Sequence, residues 1–131
     1  MLLTSLNPAA VAAGADAVIV SNHGGRQLDG VASSISVLPQ VVERVGDKTE
    51  VLMDGGVRSG LDVFRARALG ATGVLIGRSW AFAVAARGEA GVAGLLNAYR
   101  NEFKSAMALC GVTKVSDITG DCVTTSDAAQ R

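Results

Sequence analysis

Histidine occurs once in this sequence, at position 23, and cysteine twice, at positions 110 and 122. With no Cys-x-x-Cys pair and no ligand cluster around those few residues, a metal site is not expected, and unpaired thiols suit a reducing cytoplasm. Charge of a single sign is lacking too: 12 basic residues balance 12 acidic ones. That balance removes the global electrostatic case for nucleic acid or an acidic membrane surface. No window approaches 18 uninterrupted apolar residues, and the N-terminus shows no basic stretch ahead of a long apolar one. Neither a membrane span nor a secretion signal is therefore expected. Low-complexity tracts, linkers and internal repeats are missing as well, so residues 1–131 read as one unit with a polar tail from about 120.

Against those absences stand an apolar content of 49% and 16 glycines, with few aromatics. Such a mixture suits buried parallel strands and close-packed helices. Three short apolar runs read as strands, at about residues 17–20, 51–53 and 73–76. Between and after them the apolar residues recur at helical spacing. Ile35, Leu38, Val41, Val42 and Val45 stop at Gly46; Leu61, Phe64, Ala68 and Leu69 stop at Gly70. Asn7-Pro8 reads as a cap and first-turn proline, with Gly14 ending that helix. Trp80 to Ala86 reads as a short helix, followed by a longer one whose core face is Val92, Leu95, Leu96, Tyr99, Phe103 and Met107. The alternation of strand and helix predicts an α/β fold with a parallel sheet.

Chemistry concentrates just past the strands. After the first, Ser21-Asn22-His23-Gly24-Gly25-Arg26 sets the lone histidine three residues from an arginine in a glycine-broken loop. Imidazole exchanges a proton near neutrality, and a guanidinium pairs with a carboxylate through two hydrogen bonds. The pair suits a small substrate with a carboxylate beside an exchangeable proton. After the second strand comes Asp54-Gly55-Gly56-Val57-Arg58, whose glycines let backbone N–H groups converge on an anion. Arg58 and the N-terminal end of the following helix add positive charge, and Gly77-Arg78 repeats the glycine and cation after the third strand. Two neighbouring strands thus close on one phosphate, as the last two loops of (β/α)8 barrels commonly do.

SNHGGRQLDG, DGGVRSGLDVFRARALGA and GVLIGR, in that order and spacing, resemble the C-terminal part of the FMN-dependent α-hydroxy-acid dehydrogenases and oxidases. The resemblance runs from about Ala10 to Thr119. GEAGVAGLLN and ALCGVTKVSDIT look most like the bacterial L-lactate dehydrogenase branch. It implies a TIM-like (β/α)8 barrel of which this chain holds about three βα units, the sixth to the eighth. It further implies His23 as active-site base, Arg26 on the substrate carboxylate, Ser21 on the flavin and Asp54 on the ribityl chain. Gly55, Gly56, Arg58, Gly77 and Arg78 would cradle the FMN phosphate. The implied reaction oxidises an L-2-hydroxy acid such as L-lactate, with a quinone or cytochrome as electron acceptor. The implied location is the cytoplasm, peripheral to the inner membrane.

The start, Met1 to Leu6, departs from the family pattern, where a strand with a flavin lysine leads into the helix. A complete barrel of this kind needs about 250 residues, so a truncated or separately encoded fragment is expected, one that forms homo-oligomers or associates with the missing units. The substrate tyrosines, a second arginine, the flavin lysine and the aspartate that orients the histidine would lie in those units; Asp29 does not match that aspartate's place. Two other readings stay open. One is a phosphate-binding barrel piece for another ligand; the other is a non-catalytic fragment or partner subunit of such a barrel.

Overall fold

The structure, a computed structural model, describes residues 3–124, with side chains from Pro8 onward. Among these residues helices and strands alternate as α1 (Leu3–Ala12), β1 (Ala17–Val20), α2 (Ser34–Val45), β2 (Glu50–Met53), α3 (Gly60–Ala68), β3 (Gly73–Val74) and α4 (Arg78–Leu109). The strands form one parallel sheet in the order β1-β2-β3, with Val18 beside Val51 and Met53 beside Val74. Parallel neighbours need a crossover, which α2 and α3 supply.

Strand residues alternate between two environments. Val18, Val20, Val51 and Met53 are buried against the helices, with Leu38, Val41 and Val45 of α2 at the centre of that core. Ile19, on the other face, is 49% exposed, so only one face of the sheet is covered among the described residues. β3 stops at Val74, two residues before its apolar run ends, although Leu75 still donates its N–H to the Met53 carbonyl at 2.9 Å. As the last strand it has one neighbour to pair with, and beyond Leu75 the chain turns into the α4 loop.

A second cluster joins Phe64 and Ala68 of α3 to Ala106 of α4 and to Ile118. Phe64 meets Phe103 edge to face, with ring centres 6.1 Å apart, the arrangement aromatic quadrupoles favour. Ile118 is only 1% exposed, and Cys122 and Val123 pack partly against the same cluster. The chain therefore packs against this core as far as Val123, past the start of the polar tail expected from about residue 120; residues 125–131 of that tail lie outside the described residues.

Three other expectations shift. α1 begins at Leu3, so Pro8 sits inside the helix. Its ring removes one backbone donor at that turn, and Asn7 does not precede the helix as a cap. Leu61 is 41% exposed because the buried stripe of α3 runs through Gly60, Phe64 and Ala68 instead. Leu96 is also exposed, while Tyr99 and Ala106 carry the buried face of α4. The expected division of α4 is present as a break at Arg87 and Gly88, where Gly88 has φ 54 and ψ −136.

Candidate functional site

β1 runs into Ser21 and Asn22 and then into a tight turn at His23–Gly25. The Asn22 Oδ1 accepts the Gly24 N–H at 2.9 Å, and Ser21 Oγ accepts the His23 N–H at 3.1 Å. These short side chains supply the acceptors that a turn lacks. His23 is the one non-glycine with positive φ among the described residues, at 54°. Gly24 and Gly25 continue in the same region, at 65° and 72°, where a side chain would be strained. A non-glycine held there marks a constrained loop, of the kind that presents a functional side chain. His23 and Arg26 both remain exposed and line one cavity.

The second loop locks onto the first. Asp54 donates its N–H to the Val20 carbonyl at 3.1 Å, joining the ends of β2 and β1. A Cβ on Gly55, at φ 85, would stand 3.1 Å from Ser34 Oγ and 3.2 Å from Asn22 Oδ1. Ser34, at the start of α2, is 3% exposed and accepts the Asn22 N–H at 3.2 Å. The local sequence assigns no role to Asn22 or Ser34, although Asn22 lies within SNHGG and the Ser33-Ser34 pair precedes an apolar helical run. Asp54 Oδ1 is buried and has no hydrogen-bond partner in the protein. A carboxylate oxygen in that condition is costly unless a ligand donates to it.

The open helix end is not the expected one. At the start of α3, Ser59 Oγ accepts the Asp62 N–H at 3.1 Å, Asp62 Oδ2 accepts the Arg58 N–H at 3.0 Å, and Glu102 Oε2 accepts the Gly60 N–H at 2.6 Å. Three carboxylate and hydroxyl acceptors thus occupy this terminus. α4 begins differently: Gly77 offers no side chain to cap it, its first turn holds no acid, and Gly77, Arg78 and Ala81 line the cavity. Its N–H groups and dipole face the space where an anion would sit.

The cavity measures about 830 Å³, within the range of cofactor pockets. It gathers His23, Arg26, Asp54, Gly55, Gly56, Arg58, Gly77 and Arg78, together with Asn22, Ser34, Ile35, Val57, Leu75 and Ile76. Three arginines face a single acid, Asp54, so the site suits an anionic ligand with an apolar body. Ser21 is not part of the lining; its hydroxyl is turned to the His23 backbone instead. Among the described residues no three or more His, Cys, Asp or Glu side chains gather as a metal site would require, and no helix is long and apolar enough to cross a membrane.

Parallel strands whose C-terminal ends collect arginines, paired glycines and an open helix terminus define a piece of a βα barrel whose cavity suits an anion. More narrowly, the chain belongs to the FMN-dependent dehydrogenase family, which it matches over residues 7–125. It is 63% identical over 110 residues to an L-lactate dehydrogenase of Caulobacter vibrioides, covering 84% of this chain and 29% of that protein. An L-lactate dehydrogenase of Azorhizobium caulinodans is 56% identical over 112 residues, 86% of this chain and 30% of the other. The chain thus spans about a third of the length of these relatives. A crystal structure of mandelate oxidase superimposes with TM-score 0.84 at 47% identity, covering 88% of this chain and 36% of that one. Another mandelate oxidase structure holds a monooxide FMN adduct. The fold is accordingly a portion of a TIM-like (β/α)8 barrel, holding three βα units.

FMN, the cofactor of this family, fits the residues present. Its ribityl hydroxyls are donors of the kind the buried Asp54 Oδ1 lacks. Its phosphate matches Arg58, Arg78 and the uncapped start of α4.

Proposed function

We propose that this chain supplies the FMN phosphate cradle, the active-site base and the carboxylate clamp of an enzyme that oxidises an L-2-hydroxy acid, with L-lactate to pyruvate as the reaction. The observation that carries the proposal is the single cavity shared by His23, Arg26, Asp54, Arg58 and Arg78. FMN, when bound, would accept the two electrons that the substrate loses, together with the second of its two protons. Arg26 holds the substrate carboxylate through its planar fork. His23, on the same short loop, receives a proton from the substrate as the 2-oxo acid forms; a base of this kind contributes about 10²- to 10⁴-fold to rate. Asn22 and Ser34 lie against Gly55, which packs the loop that carries the base against the loop of the cradle. Ser21 acts on the site through the His23 backbone. The L-lactate dehydrogenase relatives support lactate as substrate, and by the family resemblance a quinone or cytochrome takes the electrons onward at the inner membrane.

The test uses a complete barrel that contains this segment, with FMN bound, mixed anaerobically with L-lactate in a stopped-flow instrument. His23→Gln is expected to keep FMN and substrate affinity but slow flavin reduction by about a hundredfold or more. Arg26→Lys keeps the charge, loses the fork and weakens substrate binding and reduction together. Equal reduction rates for wild type and His23→Gln would remove His23 from the mechanism.

A further inference from the structure

The two arms of the anion cradle leave different strands, and one stretch of α4 touches both. Tyr99 donates its hydroxyl to Ser79 Oγ at 3.0 Å, and Ser79 directly follows Arg78. Glu102 Oε2 accepts the Gly60 N–H at 2.6 Å, and Gly60 lies just beyond Arg58 and Ser59. Tyr99 and Glu102 are three residues apart on the helix, so they share a face. Neither lines the cavity.

The backbone reinforces this contact. A Cβ on Gly60 would overlap the Tyr99 carbonyl oxygen and come 2.5 Å from the Phe103 nitrogen, so the start of α3 rests directly on α4. The break at Arg87 and Gly88 folds the first part of α4 back along the second, where a Cβ on Gly91 would overlap the Ala83 carbonyl oxygen. Tyr99 can therefore reach Ser79 from 20 residues away. Glu102 has a further effect: with Asp62 it fills the terminus of α3 with carboxylates, which leaves the α4 terminus as the place for a phosphate.

We infer that Tyr99 and Glu102 are positioning residues for the FMN phosphate, acting through Ser79 and Gly60 to hold Arg78 and Arg58 at one spacing. The inference rests on the FMN reading of the cavity. Exposed arginines lose much rotational freedom when they grip an anion, and a fixed backbone at their roots reduces that loss.

Riboflavin shares the ring and ribityl chain of FMN and lacks the phosphate, so titrating the purified chain with both flavins isolates the cradle. Tyr99→Phe and Glu102→Ala are each expected to weaken FMN binding about three- to tenfold, the range of one lost hydrogen bond, while riboflavin binding changes by less than about twofold. Glu102→Gln keeps an acceptor for Gly60 and is expected to restore FMN affinity. Equal weakening of both flavins, without rescue by Glu102→Gln, would show a general packing role and overturn the inference. A wild-type preference for FMN that Arg58→Ala and Arg78→Ala abolish, but Tyr99→Phe and Glu102→Ala leave intact, would overturn it alone. Absence of any wild-type preference would overturn the FMN reading and this inference with it.

Discussion

Gly55 shows how much a single position constrains the site. Alanine at φ 85 is strained by about 1–2 kcal/mol, and its Cβ would press on Ser34 Oγ and Asn22 Oδ1 at 3.1 and 3.2 Å. Gly55→Ala should therefore lower stability by at least about 1 kcal/mol in urea unfolding, and an unchanged midpoint would show that the two loops are not interlocked. Asp54 gives a different signature. Its buried Oδ1 awaits a donor that both FMN and riboflavin carry, so Asp54→Ala should weaken the two flavins equally, by about tenfold or more. A loss confined to FMN would contradict a contact between Asp54 and the ribityl chain that the two flavins share. At this scale the sequence was informative about which residues meet: glycines and cations after apolar runs carry their own reason, and those named for the cavity do line it, with the exception of Ser21. Asn22 and Ser34 were not legible, because their importance comes from a contact between a loop and a helix start 12 residues on, and nothing in either local pattern announces it.

Among the elements, the junction of α3 with α4 bears the closest packing. Gly60→Ala forces α4 away from α3 by backbone overlap, and overpacking of this sort costs about 1–3 kcal/mol. Ser59→Ala removes a cap bonded to the Asp62 N–H, a loss of about 1 kcal/mol. Thermal unfolding should rank Gly60→Ala below Ser59→Ala and both below wild type; equal midpoints would mean that the α3 terminus is held elsewhere. Strand positions were readable because short apolar runs flanked by polar or glycine residues leave little choice, and β1 occupies residues 17–20 as its pattern implied. Helix phases were less so. Leu61 reads as core in any periodic count, yet the buried place on its turn belongs to Gly60, where another helix backbone comes close. Hydrophobic spacing cannot register a position whose value lies in having no side chain. The same limit hid the sealing of α3 by Glu102, a residue 42 positions away from Gly60.

Over the whole molecule, several large apolar side chains stay uncovered among the described residues. Ile19 on the sheet, Leu75 beyond β3, and Trp80 and Phe82 at the start of α4 are 42–68% exposed, and β1 and β3 each pair on one side only among the described residues. Open edges and uncovered apolar faces favour association. The 131 residues expressed alone should accordingly reduce no dye with L-lactate, since His23 and Arg26 stand exposed and a site open to solvent neither excludes water nor holds a near-attack geometry. Dye reduction abolished by His23→Ala would contradict this. The residues proposed for the cradle, in contrast, line one cavity of this chain and can be tested on it directly. The decisive measurement is calorimetric titration of the purified chain with FMN and with riboflavin, for wild type, Arg58→Ala and Arg78→Ala. Charge-assisted bonds of about 1.5–3 kcal/mol each predict that wild type prefers FMN by about tenfold or more and that each arginine variant loses most of that preference. Equal affinity of wild type for the two flavins, or a preference that survives both substitutions, would contradict the account.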